Sequence, residues 1–131
     1  MRFHTAINKF CFNVFLGRPL PIWRSMLLKP RPYLCLKDAF KVLKFTIEKK
    51  FFKNKIYNII SENLTLDQVI KYFKKHKKKI KIKYVKSKLI NQYSYKISNK
   101  KFSEEGFRLN SKIDKEIKST LNLFKNINNE M

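Results

Sequence analysis

Residues 31–39 read Arg-Pro-Tyr-Leu-Cys-Leu-Lys-Asp-Ala, and this stretch organises the chain on either side of it. A residue before a proline is held out of the helical region, so the chain is extended at Arg31 and a brief strand is predicted over residues 33–36. Asp38 is placed to cap or begin the helix that follows, which we expect to run to about residue 50. Its inner face is predicted from the helical spacing to be Phe40, Leu43 and Ile47, with Ala39 and Val42 along its edge.

The chain before this stretch is predicted to form one helix and one short strand. Over residues 5–16 the apolar residues have the i, i+3, i+4, i+7 spacing of one helix face, and Gly17 followed by Pro19 supplies a stop signal. These apolar residues are Ile7, Phe10, Cys11 and Val14. Residues 20–23 are apolar and marked off by prolines, which favours an edge strand, and residues 25–30 are expected to form a loop.

The chain after residue 50 is predicted to continue with a strand, a helix and a second strand. Residues 55–60 are predicted to form the first strand, and Thr65 with Gln68 has the spacing of a capping box that opens a helix. The apolar residues of that helix are Val69, Ile70 and Phe73. In residues 80–85 isoleucine and tyrosine alternate with lysine, as is typical of a half-buried strand whose lysines face water.

Two more helices are predicted towards the C-terminus. A short helix over residues 99–105 is expected to end at Gly106. An amphipathic helix is opened by Ser111, and we expect the tail, residues 126–131, to fray. The apolar face of the amphipathic helix is predicted to be Ile113, Ile117, Leu121 and Phe124.

Length and composition favour one compact unit, since 131 residues with 44% hydrophobic content can bury one modest core. The apolar runs are far shorter than the roughly 20 residues that span a bilayer, and no signal-peptide pattern opens the chain, so a cytoplasmic location is expected. Cys11 and Cys35 have no CxxC pair and no cluster of histidines and acids around them. No zinc site or disulfide is therefore predicted, and both are expected to be reduced, buried thiols.

The net charge of +22 points at first sight to a nucleic-acid partner. However, 26 of the 31 basic residues are lysine and only five are arginine, the cation that makes bidentate base and phosphate contacts. Lysine, asparagine and isoleucine share A- and T-rich codons, so a biased base composition accounts for the same pattern. We interpret the lysine run over residues 74–83 as a solvated face, and keep a small lysine-rich nucleic-acid-binding protein as the alternative function.

A self-contained active site is not visible in the sequence. The two glycines, Gly17 and Gly106, both stand where helices are predicted to end, which excludes a glycine-rich phosphate loop. Neither His4 nor His76 has an obvious acid to orient it. The aspartates at positions 38, 67 and 114 fall in predicted first turns of helices, where capping and the helix dipole account for them. No catalytic residue and no metal ligand is therefore predicted.

Several weak motifs occur in an order that carries a resemblance. Residues 31–39 are an arginine followed by aromatic and apolar residues, with Leu36 and Asp38 in the place of a V-x-D ending; residues 56–61 are similar to a "YNVGS" strand, and 98–107 to a "DxSKxxxxLGF" stretch. Over roughly residues 5–125 this order resembles the C-terminal region of the extended short-chain dehydrogenases/reductases, the NAD-dependent epimerase/dehydratase family. The resemblance implies an α/β lobe of helices with a few short strands, with residues 1–131 as a single partial domain.

The same resemblance implies what the complete protein does. In that family an N-terminal Rossmann half binds NAD(P) and carries a Tyr-xxx-Lys catalytic pair, and this half is expected to be absent from the chain. The chain would then be a substrate-binding fragment, inactive alone, with a nucleotide-sugar as ligand and a Rossmann-half chain as partner. A gene fragment, a split protein and a remnant all remain open. Reassembly predicts an exposed apolar face on the helix over residues 5–16.

The resemblance also implies the site residues. An arginine in the place of Arg31 meets the substrate diphosphate, which suits a planar cation, although a surface arginine ending a loop is the alternative. Pro21, Ile22 and Trp23 are the implied neighbours of the base or ribose, although Trp23 suits a core equally well. Many epimerases have an Arg-x-Gly-Asp type stretch near residues 88–94, where this chain has Lys88, Leu89, Ile90, Asn91 and Gln92. Lys88 keeps the charge without the bidentate geometry, and Asn91, Gln92 and Ser94 are either contacts for a divergent ligand or plain loop residues.

Overall fold

The first helix, α1, spans Ala6–Phe15 and buries Phe10, Cys11 and Val14, as its spacing predicted. The computed structural model describes residues 5–86 and 94–129. The helix ends at Gly17, whose φ is 67°, with the amide of Arg18 donating to the carbonyl of Asn13 and that of Gly17 to Val14. This is a Schellman ending, which needs a residue at positive φ, and glycine adopts that conformation without steric cost.

Two longer helices complete a three-helix layer with α1. The helix α3, Leu66–His76, opens with the predicted capping box: Gln68 N–H donates to the Thr65 hydroxyl, and the Gln68 side chain accepts from Thr65 N–H. The C-terminal helix α5 spans Ile113–Asn129 and packs against both α1 and α3. The predicted apolar face of α5 is buried, and fraying of the tail stays a prediction. The core joining the layer is formed by Phe10, Cys11, Val14, Val69, Ile70, Phe73, Ile113, Ile117, Leu121 and Phe124.

Two small sheets lie on this helical layer. The strand β1, Leu20–Trp23, pairs in parallel with β4, Ile82–Val85, with Ile22 opposite Tyr84. The strand β2, Pro30–Tyr33, pairs antiparallel with β3, Glu62–Thr65. Strands β1 and β4 were predicted. Strand β2 begins three residues before the predicted strand over 33–36, so Pro30, which was predicted to end a loop, is its first residue. A 3-10 turn at Arg24–Met26 lies between β1 and β2.

The helix α2 spans Leu36–Glu48, and its predicted inner face is wrong. The side chains of Phe40, Leu43 and Ile47 are 67%, 62% and 68% exposed, and that of Leu36 is 81% exposed. These four residues, which we call the α2 apolar stripe, lie on one side of the helix and point away from the core. The opposite side faces inward, where Phe45 contacts the rings of Phe51, Phe102 and Phe107. Periodicity identified the stripe correctly but not the direction in which it faces.

The strand predicted over residues 55–60 is also wrong: in the structure these described residues form no strand. Within the described part of the chain, residues 54–59 make no backbone-to-backbone hydrogen bond, and Ile56 is 88% exposed. The segment is held by side chains instead, because Tyr57 donates to Glu105 at 2.7 Å and Lys101 donates to the Ile56 carbonyl at 2.8 Å. Glu105 follows the short helix α4, Lys100–Ser103, which ends before Gly106 as predicted.

Asp38 connects three parts of the chain. It lies in the first turn of α2, where Cys35 is the N-cap residue, and its side chain is fully buried. The carboxylate accepts hydrogen bonds from the hydroxyls of Ser61 and Ser111, both at 2.7 Å. Asp38 therefore does more than begin a helix: it ties α2 to the start of β3 and to the approach to α5.

Three further observations concern the cysteines, the length of the helices and the exposed face predicted for α1. Cys11 and Cys35 are free thiols buried in the core. Among the described residues, no helix is both long and apolar enough to cross a membrane. The reassembly hypothesis expected an exposed apolar face on α1, but that face is buried against α5, and the exposed stripe lies on α2 instead.

Candidate functional site

A small pocket brings together Trp23 and Arg31, two of the predicted site residues. Its volume is about 100 Å³. The remaining lining residues come from α1, the β1–β2 connection, β2 and the start of α3: Ala6, Phe10, Met26, Lys29, Tyr33 and Leu66. We call this the Arg31 pocket. Arg31 therefore lies on a concave surface, with a second cation, Lys29, beside it.

Local sequence explains why these side chains meet. Trp23 ends β1, and the 3-10 turn that follows reverses the chain into β2, which carries Arg31. The turn is anchored on α3, because the amide of Asp67 donates to the carbonyl of Leu27 at 3.0 Å. Pro32 restricts Arg31 to an extended backbone, and the antiparallel pairing with Leu64 of β3 fixes its register. The sequence signal for this placement is the Arg-Pro pair.

Two arginines of this region stack on tyrosine rings. The guanidinium carbon of Arg31 lies 5.2 Å from the ring centre of Tyr95, and that of Arg24 lies 4.5 Å from the ring centre of Tyr84. Both distances are within the roughly 6 Å over which a cation is attracted to an aromatic face. Burial raises the pKa of the Tyr33 hydroxyl, while the charge of Arg31 lowers it to a smaller extent. Tyr84 and Tyr95 lie outside the pocket lining, whose cations are Arg31 and Lys29 and whose aromatic residues are Phe10, Trp23 and Tyr33.

The segment that carries Tyr95 is attached to β3 by side-chain amides. Asn63 donates to the Ile97 carbonyl at 2.8 Å and accepts from the Ile97 amide at 3.0 Å. Asn99 makes the same reciprocal pair with the backbone of Ile60, at 2.5 and 2.9 Å. Sequence reasoning missed Tyr95 and Asn63, because contacts across 34 or more residues leave no local signal.

Pro21, Ile22 and Ser94 are not among the residues that line the Arg31 pocket. Ile22 is fully buried in the core, so its side chain has no surface to offer a ligand, and we leave it out of the site. Trp23 is 37% exposed at the pocket rather than a core residue. Pro21 is partly buried in β1, and Ser94 is exposed. Lys88, Asn91 and Gln92 lie outside the described residues.

A second polar cluster lies at the opposite end of α3. His76 Nε2 is 2.6 Å from an Asp114 carboxylate oxygen, and Lys75 donates to the other oxygen at 2.6 Å. The expectation that His76 has no acid partner is therefore wrong, since α5 brings Asp114 to it. Burial raises the pKa of Asp114, but the hydrogen bonds from Lys75 and His76 outweigh it and hold that pKa below its ordinary value. The pair fastens α3 to α5 and shares no lining residue with the Arg31 pocket.

The Arg31 pocket is suited to binding rather than to chemistry. Its lining residues offer cations, aromatic faces and apolar carbon, which suit an anionic group beside a ring, although a volume of about 100 Å³ encloses only part of such a ligand. Among the described residues, no group of three or more histidine, cysteine or acidic side chains could hold a metal ion. The two glycines end helices, so this chain does not supply a backbone cradle for a dinucleotide phosphate.

Comparisons with known proteins give a fold and no family model. No protein-family model matches the chain, and no curated protein matches it. Among solved structures, the UDP-glucose 4-epimerase of Thermus thermophilus in complex with NAD matches with a TM-score of 0.78 at 17% identity. The dTDP-glucose 4,6-dehydratase of Bacillus anthracis in complex with NAD matches with a TM-score of 0.68 at 20% identity.

The matches cover nearly all of this chain but only part of the solved structures. They include 95% and 96% of this chain, and 42% and 40% of the epimerase and dehydratase chains. The chain thus spans about two fifths of the length of those structures. The expected α/β lobe of helices with a few short strands is confirmed, and its fold is similar to that of part of these two structures.

Proposed function

We propose that this chain is the substrate-binding lobe of an NAD-dependent nucleotide-sugar epimerase or dehydratase. The observation that carries the proposal is that Arg31 and Trp23 line one pocket on a fold shared with such enzymes. The guanidinium of Arg31 binds the diphosphate, where its fixed fork of donors matches two oxygens at once. Trp23 lies beside the nucleoside, and Lys29 adds a second positive charge.

The chemistry belongs to the complete enzyme. The two solved neighbours are an epimerase and a dehydratase in complex with NAD, and the proposed reaction class for the complete protein is oxidation or epimerisation of the sugar. NAD is bound by a separate Rossmann-type half in this proposal, since the chain has no glycine-rich loop of its own. The chain alone is a binding fragment without turnover. A cytoplasmic location accords with its free, buried thiols.

The residues near position 88 complete the proposed ligand contacts. Lys88 is proposed to meet the diphosphate as a point charge, and Asn91 and Gln92 to contact the sugar. Their amide groups can donate and accept, which suits hydroxyl groups of a sugar.

Fluorescence of Trp23, the single tryptophan, tests the proposal directly. Titration with UDP is expected to change its emission in a saturable way, and uridine is expected to bind more weakly because it lacks the diphosphate. Arg31→Lys is expected to weaken UDP binding about tenfold and to leave uridine binding unchanged, since lysine keeps the charge but loses the fork. No saturable change with UDP would contradict the proposal.

Arg108→Lys is the matched control, because Arg108 is exposed and lies outside the lining of the Arg31 pocket. It is expected to bind UDP as the wild type does. Equal losses in the two variants would assign UDP binding to the general positive charge of the chain and count against the proposed site.

The α2 apolar stripe supports the proposed partner, a Rossmann-type half. A stripe of four large side chains exposed by 62% or more is unusual in a complete domain and typical of a contact surface. Beside it, a groove of about 670 Å³ runs between Val42, Thr46 and residues 51–57. The backbone of 54–59 there has no strand partner among the described residues, so it can add to the edge of another sheet.

Co-expression with the product of the reading frame upstream of Met1 tests this partner. A stable complex that enhances NADH fluorescence is expected, and Leu43→Lys with Ile47→Lys is expected to abolish it by charging the stripe. Leu123→Lys, on an exposed position of α5, is the control and is expected to leave the complex intact. Absence of both a complex and cofactor binding would remove the proposed partner.

A further inference from the structure

The segment 94–99 lies along the strand pair that carries Arg31, but no strand of its own holds it there. Two asparagine side chains take the place of a backbone ladder. The amide of Asn63 exchanges two hydrogen bonds with the backbone of Ile97, and that of Asn99 exchanges two with the backbone of Ile60. A side-chain amide presents one N–H and its C=O on the same side, as the N–H and C=O of a single residue in an extended strand are presented, so each exchange mimics one rung of a sheet.

Of these two asparagines, Asn63 lies closer to the Arg31 pocket. In the antiparallel pairing of β2 with β3, Asn63 lies opposite Pro32, and the next residue, Leu64, lies opposite Arg31. Ile97, which Asn63 holds, is two residues from Tyr95. The guanidinium of Arg31 is thus connected to Asn63 through the ring of Tyr95, the backbone from Tyr95 to Ile97, and the two hydrogen bonds between Ile97 and Asn63.

Tyr95 is in a position to fix the plane of the guanidinium. Its ring centre is 5.2 Å from the guanidinium carbon, and Tyr95 is itself about half exposed. A planar cation recognises a diphosphate through two parallel hydrogen bonds, and a rotation of its plane breaks at least one of them. An uncharged nucleoside has no diphosphate, so its binding does not depend on the orientation of the guanidinium plane.

We propose that Asn63 is a positioning residue that sets Tyr95 against Arg31 and so makes the pocket prefer a nucleoside diphosphate over the uncharged nucleoside. The inference rests on the proposed function, since it assigns Asn63 to the diphosphate end of that site. Asn63 does not line the Arg31 pocket, and its side-chain carbonyl and one of its N–H groups are bonded to the backbone of Ile97.

Asn99 provides a matched control within the same segment. It makes the same pair of side-chain to backbone bonds, but with Ile60, on the side of Ile97 away from Tyr95. If the side chains of Asn63 and Asn99 serve only to hold the segment 94–99 in place, removing either one is expected to weaken ligand binding to the same extent.

The test compares affinities for UDP and for uridine, both measured by Trp23 fluorescence on the full chain. In Asn63→Ala and in Tyr95→Ala we expect UDP binding to weaken about threefold to tenfold, with uridine binding unchanged, because an oriented cation is lost while the nucleoside contacts remain. Asn99→Ala is expected to keep the wild-type ratio of the two affinities. Asn63→Asp, which keeps the acceptor for the Ile97 amide but loses the donor, is expected to fall between wild type and Asn63→Ala.

Three outcomes would overturn the inference. A wild-type chain that prefers UDP, with the same preference in Asn63→Ala, leaves the proposed function standing and removes the role of Asn63. Equal loss of UDP and uridine binding in Asn63→Ala and Asn99→Ala assigns both residues to holding the fold. A wild-type chain without any preference for UDP removes the proposed function and this inference together. If Asn63→Ala does not fold, Asn63→Asp and Tyr95→Ala decide between the same outcomes.

Discussion

Asp38 is the most deeply buried acidic residue in the described part of the chain. It is the buried charged side chain of the fold, and it stays ionised because Ser61, Ser111 and the charge of Lys41 surround it. Burial alone raises the pKa of this carboxyl, but the hydrogen bonds from Ser111 and Ser61 outweigh burial and hold the pKa below its ordinary value. A group of this kind stabilises the folded state only while it is ionised.

The stability contributed by Asp38 is therefore expected to depend on pH. Since the folded pKa lies below the unfolded value of about 3.9, the contribution is present above that pH and is lost as the pH falls through the folded pKa. Asp38→Asn is expected to lower the free energy of unfolding by about 1–3 kcal/mol at pH 7, with the difference from wild type narrowing towards pH 2. Urea denaturation across this range measures it. A difference that stays constant with pH would contradict the account.

At the scale of residues, two of the residues that the sequence predicted for the site, Arg31 and Trp23, line one pocket in the structure. Arg31 and Trp23 were predicted because a proline and a strand end fix their backbone and the resemblance assigned them roles. Tyr95 and Asn63 were missed because each acts across a long separation in sequence. The side chain of Ile22 is buried in the core. An apolar residue in a short strand can face either a ligand or the core, and the sequence alone does not decide between the two.

At the scale of elements, α2 shows that a periodic pattern identifies an apolar helix face but not whether that face is buried in the core or exposed. The helix was predicted with nearly correct ends, but its apolar stripe faces solvent. We expect Leu43→Lys to change the free energy of unfolding of the isolated chain by less than about 0.5 kcal/mol, because the side chain buries little. Ile117→Ala, in the core face of α5, is expected to lower it by about 2–4 kcal/mol. A large loss in Leu43→Lys would show that the stripe is packed within this chain.

The end of α2 gives a second prediction at this scale. Lys50 has a φ of 48°, and the chain closes around it as it does around Gly17, with the amide of Phe51 donating to the carbonyl of Thr46. A side chain in the left-handed region is strained, so Lys50→Gly is expected to raise the free energy of unfolding by about 0.5–1 kcal/mol. Lys49→Gly, at ordinary dihedral angles, is expected to lower it. Thermal and urea unfolding of both variants would check the signs, and a destabilised Lys50→Gly would contradict the prediction.

The helices α1, α3 and α5 could be predicted because their start and stop signals are local and their apolar faces meet each other. The strand over 55–60 could not, because a strand exists only with a partner, and the described chain offers none to that segment. Its Ile-Tyr-Asn-Ile-Ile sequence has the composition of a strand. The wrong strand prediction and the exposed α2 apolar stripe both accord with the proposed contact with a Rossmann-type half.

At the scale of the whole molecule, the charge of +22 makes non-specific attraction to polyanions unavoidable. Such attraction differs from a nucleic-acid-binding function in its affinity at physiological salt. We expect the chain to bind a single-stranded oligonucleotide weakly at low salt and to release it by about 150 mM salt, where surface charges are screened within about 8 Å. The comparisons give no support to a nucleic-acid-binding function. Tight binding that persists at about 150 mM salt, measured by fluorescence anisotropy, would restore that alternative.

The central claim, that the Arg31 pocket receives the nucleoside diphosphate of a sugar nucleotide, is tested most directly by mapping UDP onto the isotope-labelled chain by nuclear magnetic resonance. The account predicts saturable shifts of the Trp23 indole N–H and the Arg31 side-chain N–H, with the Arg108 side chain unmoved. Shifts spread over the lysine-rich surface, with Trp23 and Arg31 unchanged at saturating UDP, would contradict it.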